Sequence, residues 1–116
     1  MRLFMVRSPL VFALAAIVGC SGIAVPPDKS DYIGKWEGPG ITLVLTADGG
    51  VHYVNVTGTG KKEINAPLQA FNGDDFVVGA FGLSTTFRVT QPPRQVDGTW
   101  TMVVDGITLT RVPGSW

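Results

Sequence analysis

The sequence predicts an all-β domain: a small antiparallel meander of about eight short strands that closes into a barrel or a closely similar β-sandwich. Three observations carry this. From Tyr32 onward, β-branched and aromatic runs alternate with Asp-Gly, Asn-Gly and Gly-Gly pairs, the chemistry of tight turns. No window repeats its apolar residues at helical spacing. The stretch from Tyr32 to Val112 is about 80 residues, enough for one small core and no more.

Ahead of that domain, residues 1–19 have three parts: basic Arg2 and Arg7, an unbroken apolar run from Leu10 to Val18, and small Gly19 before Cys20. That order is a secretory signal peptide. The run is about half of the ~20 residues that a spanning helix needs. Its ending, Ile17-Val18-Gly19-Cys20, resembles the lipobox of bacterial lipoproteins. The resemblance implies cleavage between Gly19 and Cys20 and lipidation of the Cys20 thiol with palmitate-type chains. One acyl chain binds a bilayer only marginally, whereas two or three anchor it stably. The chain has no second cysteine, so Cys20 has no disulfide partner within it. Ser21 stands where an aspartate would be the family's inner-membrane retention signal, which points to the outer membrane, facing the periplasm. The segment 20–31 then reads as a lipidated cysteine and a flexible tether, polar and carrying Pro26-Pro27, with the single β-domain spanning 32–116.

Strands are expected near 32–38, 40–46, 51–57, 62–71, 76–82, 84–90, 98–104 and 107–112. Asp105-Gly106 is a two-residue type I′ turn signal. It sets Val104 against Ile107, Met102 against Leu109 and Trp100 against Arg111 on one face, with Val103/Thr108 and Thr101/Thr110 on the other. Large apolar side chains separate cleanly from threonines, as a one-sided buried sheet requires. Ala47-Asp48-Gly49-Gly50 turns an earlier hairpin; a two- or four-residue loop opposes Thr46 with Val51 and Leu45 with His52. Phe71 to Phe76 contains a third turn. Gly79 and Gly82 predict a bulge or sharp bend. Gln91-Pro92-Pro93-Arg94 lacks two successive ladder donors, which makes it a loop or a strand edge.

Gly34 and Trp36 open the domain and Arg111 ends its last strand. This Gly-x-Trp with a C-terminal cation resembles the signature of calycins, the superfamily that contains lipocalins. The resemblance implies a compact barrel closed by Arg111 packed across the indole of Trp36, with Trp100 beside them. It extends to few residues: the mature chain is about half a lipocalin's length and shows none of its later motifs. The small calycin-type inhibitors of bacterial metalloproteases are nearer in size but carry a disulfide that this chain cannot form.

Composition narrows the function. The chain has nine basic and nine acidic residues; losing Arg2 and Arg7 with the leader leaves seven against nine, a net charge of −2. Lys61-Lys62 is the only adjacent basic pair, so no nucleic-acid partner is expected. His52 is the single histidine, too few nitrogen and sulfur ligands for a usual zinc site. Neither Ser84 nor Ser115 sits in a nucleophile elbow. Asp48, Asp97 and Asp105 each precede glycine, and Asp74-Asp75 follows Asn72-Gly73, so turn chemistry accounts for them. The expectation is a non-enzymatic, cofactor-free and metal-free envelope lipoprotein, held to the membrane through Cys20 and acting through its surface on an envelope partner. The alternatives are an inhibitor or immunity-type protein of a hydrolase, and a carrier of a small apolar ligand.

Overall fold

The computed structural model describes residues 22–114. The all-β expectation holds: nine antiparallel strands form one strongly curled sheet, a half-barrel. They are β1 (Gly34–Gly38), β2 (Ile41–Leu45), β3 (Gly50–Thr57), β4 (Gly60–Asn72), β5 (Asp75–Ala80), β6 (Leu83–Phe87), β7 (Val89–Val96), β8 (Thr99–Val104) and β9 (Ile107–Arg111). Their spatial order is β6-β5-β4-β3-β2-β1-β9-β8-β7. Consecutive strands are neighbours except at one point. β6 and β7 lie at opposite edges of the sheet, yet Arg88 alone separates them in sequence.

That junction dictates the curl. Laid flat, nine strands would hold their outer members roughly 38 Å apart. The two peptide units from Phe87 to Val89 reach about 7 Å at most. The edges must therefore converge at Arg88, and two carboxylates hold them there. Val89 N–H donates to Asp75 Oδ1 at 2.8 Å, and Arg88 N–H to Asp105 Oδ1 at 3.0 Å, while Asp105 N–H returns a bond to the Arg88 carbonyl at 2.7 Å.

Every second residue turns inward, the period of a pleated strand. Trp36, Ile41, Leu43, Leu45, Val51, Tyr53, Leu68, Phe76, Val78, Phe87, Val89, Met102, Val104 and Leu109 form one buried core. Phe87 joins its walls, stacked on Phe76 with ring centroids 5.0 Å apart and edge-on to Tyr53 at 5.0 Å. The β8–β9 hairpin has the expected register, with Asp105 and Gly106 both at positive φ. The Phe71/Phe76 hairpin also turns as expected, on Gly73-Asp74.

Four expectations are corrected. The β2–β3 turn is a three-residue loop, Ala47-Asp48-Gly49, with Gly49 at φ +93° and the Gly49 N–H bonded to the Thr46 carbonyl. The odd count shifts the register by one, pairing Leu45 with Val51, Leu43 with Tyr53 and Val44 with His52. A one-residue slip exchanges the faces, so Val51 and Tyr53 enter the core and His52 lies outside. Second, Phe81-Gly82 is a turn at positive φ in both residues rather than a bend within a strand, and Phe81 is fully exposed. The bulge falls on the neighbouring strand, between Leu68 and Ala70, where Gln69 Nε2 donates to the Gly79 carbonyl. Third, the expected strand 84–90 is two, β6 and β7, divided at Arg88; Gln91 to Arg94 lies within β7 at the sheet edge, the second of its two expected readings, with register shifts around the two prolines.

The fourth correction concerns the tether. Residues 22–31 are docked, not free. Ile23 N–H bonds the Leu68 carbonyl and Val25 N–H the Ala47 carbonyl, extending the ladder where β3 stops. A 3-10 helix, Pro27–Tyr32, follows, with proline at its start where a missing N–H costs nothing. It delivers Tyr32 edge-on to Phe71 and Phe76, and the phenol donates to the Asp74 carbonyl at 2.8 Å. Lys29 completes this plug, 3.7 Å from Asp74 and 5.5 Å from the Phe71 ring centre.

Burial first, then the Asp74 and Asp75 carboxylates, push the Tyr32 phenol well above its ordinary value. A raised folded-state pKa favours the protonated form, so this contribution is complete below the free-tyrosine pKa of about 10 and is lost as pH rises above it. Denaturant midpoints should therefore fall from about pH 10 upward in the wild type. Tyr32→Phe should lower stability at neutral pH by about 1 kcal/mol through the lost hydrogen bond and flatten the alkaline decline.

Candidate functional site

The curl leaves β1 and β9, the first and last strands, side by side. Only two residue pairs, Trp36/Arg111 and Glu37/Thr110, form their ladder, helped by Val112 N–H on the Lys35 carbonyl at 2.8 Å. Side chains reinforce this short seam. The Arg111 guanidinium carbon lies 5.3 Å from the centre of the Trp36 ring and 4.6 Å from that of Trp100. Its Nη1 donates to the Ile33 carbonyl at 2.9 Å, and the fully buried Trp36 gives its indole N–H to the Tyr32 carbonyl at 2.9 Å. Both carbonyls belong to the junction between the 3-10 helix and β1. Gly34 follows at φ +148°, a conformation that side chains disfavour. The structure thus brings Gly34, Trp36, Trp100 and Arg111 together, because β1, β8 and β9 are consecutive in the sheet. Cys20 and Gly19 lie outside the described residues.

Beside the seam is an open groove of about 460 Å³, lined by Thr99, Trp100, Thr110, Arg111 and Pro113 among others. Arg111 faces it with no carboxylate partner among the described residues. The interior differs sharply. One enclosed space there, between Ile41, Tyr53, Val104, Asp105, Ile107 and Leu109, is about 20 Å³, the room of one water molecule.

His52 projects from the outer face of β3, where Nε2 meets Glu63 Oε2 at 2.8 Å. That contact, with Lys61 behind it, holds the Glu63 carboxyl below its usual range. Ser84, on β6, is three strands away from His52 on β3. Asp48 stays in its turn, taking bonds from the Thr46 hydroxyl and Gly50 N–H that hold its carboxyl low. Among the described residues no three His, Cys, Asp or Glu side chains cluster as metal ligands would. Asp75 and Asp105 do more than turn the chain, since both clamp the Arg88 corner; the sequence signal was an aspartate beside each turn, but its acceptor role depends on a strand far away in sequence.

Comparison with known proteins finds no matching family model, no matching curated protein and no matching solved structure.

The seam makes a quantitative expectation. Trp36→Ala should cost about 3–5 kcal/mol as a large core truncation, comparable with the whole stability of a small domain. Arg111→Met, which keeps the stem but removes the charge and the Ile33 bond, should cost about 1–3 kcal/mol. Urea unfolding of both, with a Trp100/Arg111 double-mutant cycle, measures this; additivity in the cycle would show that the cation and indole do not interact.

Proposed function

We propose that the chain is a lipid-anchored lipoprotein of the bacterial cell envelope whose calycin-like half-barrel acts as a non-enzymatic binding or structural module through its surface. The filled interior carries the second part of this reading. Trp36, Phe76, Phe87, Leu43, Leu45, Leu68, Met102 and Leu109 occupy the space where a carrier holds its ligand, and the enclosed space between Ile41, Tyr53 and Leu109 is about 20 Å³. A drug-sized ligand needs roughly 300 Å³ or more. The closure of β1 on β9 by Trp36 and Arg111 supports the calycin-like description.

The lipobox-like Ile17-Val18-Gly19-Cys20 motif supports the anchor. The docked strap changes what such an anchor does. With Gly22 already against Pro67 and Leu68, the described chain is docked to within two residues of the proposed lipidation position. A lipid there holds the domain against the headgroups instead of suspending it on a long leash.

Two measurements test this reading. The intact mass of the exported chain should show an acylated N-terminus at Cys20, abolished in Cys20→Ala; an unmodified thiol in the wild type removes the anchor. Native mass spectrometry of residues 21–116 should show no stoichiometric small molecule. A bound apolar ligand would overturn the surface reading in favour of a carrier.

A further inference from the structure

The two free edges of the sheet are built differently. β7 carries Pro92, Pro93 and Arg94 and is irregular in register, devices that discourage a further strand from adding on. β6 carries none of them. From Phe76 to Phe87 the sequence contains neither a charge nor a proline. The hairpin tip also overshoots the core, leaving Phe81 fully exposed and Leu83 78% exposed.

The backbone of β6 is half used. Ala80 and Leu83 flank the two-residue turn, and such a flanking pair exchanges both of its backbone bonds. Bonded pairs alternate along an antiparallel ladder, so Leu83, Thr85 and Phe87 direct their N–H and C=O groups to β5. Ser84 and Thr86 direct theirs away from it, on a strand with no second neighbour in the sheet.

We propose that β6 is a self-association edge, pairing antiparallel with β6 of a second copy about a two-fold axis through Thr85. In that register Ser84 meets Thr86 of the second copy, and all four outward N–H and C=O groups of each strand find partners. Thr85 faces its own counterpart. Leu83 comes opposite Phe87 of the second copy, extending the apolar row of one core with the exposed side chain of the other. Polar and apolar residues thus match on their own faces. A two-fold contact sets a surface against itself, so a charged strand would set like charges close together. This uncharged one meets no such penalty, which selects a second copy over a charged partner. The interface is independent of lipidation, since it lies wholly within residues 83–87.

The full chain carrying Cys20→Ser and Thr85→Cys has its only thiol on the proposed axis. Unbonded antiparallel pairs bring Cα atoms to about 4.5 Å, within disulfide range. Mild oxidation at about 100 µM, suited to a small interface, should link most of the chain into dimers. The same chain with Thr90→Cys instead, on β7, should stay monomeric. Adding Thr86→Pro, which removes an outward N–H and spares the β5 ladder, should slow Thr85→Cys linkage about tenfold. In the chain with Cys20→Ser alone, sedimentation should detect a concentration-dependent dimer. A monomer throughout, or cross-linking at Thr85→Cys no faster than at Thr90→Cys, would overturn the proposal.

Discussion

The Arg111 guanidinium lies against two indoles, and the rest of the domain depends on that contact. β1 through β6 form one run of hairpins and β7 through β9 another, joined in sequence only by Arg88. What makes them a single sheet is a two-pair ladder between β1 and β9, too short to be robust by backbone bonding alone. Arg111 compensates in three directions. It covers Trp36, covers Trp100 on the adjoining strand, and binds the carbonyl of Ile33. A lysine could supply the charge but not a planar group that stacks while donating at its edge.

Closure at the seam and convergence at Arg88 are two ends of one constraint. Once β1 lies beside β9, β6 and β7 must come together, and the short connection permits that only in a tightly curled sheet. A tightly curled sheet with large inward residues has little interior left. The aromatic contacts from Tyr53 through Phe87 to Phe76 and on to Tyr32 take up what remains. In the proposed reading, the surface that acts is the exterior: the groove beside Arg111, the outer face around His52, and the sheet edges.

The N-terminal strap links the fold to the proposed anchor. Backbone bonds from Ile23 and Val25 tie it to the sheet, and the 3-10 helix inserts Tyr32 as a plug. The indole of Trp36 and the guanidinium of Arg111 both bind carbonyls at the end of that helix, so strap and seam are mechanically one unit. In the proposed setting, a pull on Cys20 would reach the seam through this path. In that setting the same arrangement would hold the domain close to the lipid surface, where confinement in two dimensions favours contacts between copies.

The sequence by itself determined the all-β class, a turn within Phe71 to Phe76, the turn at Asp105-Gly106 and the residues of the seam, because each rests on a local signal. Alternation marks a strand, a two-residue turn sets a register, and indoles with a terminal cation mark a closure. Tertiary structure alone decided whether Gly49 makes the β2–β3 loop three residues long, and hence that Tyr53 goes in and His52 out. It decided that Ile23 to Tyr32 is docked, because unpaired carbonyls of Leu68 and Ala47 exist only once β3 stops short of the end of β4. It decided that β6 and β7 separate at Arg88, because Asp75 and Asp105 reach that corner only after the sheet has curled. Local chemistry encodes strands and turns; which edges stay open depends on distances that no local stretch of sequence contains.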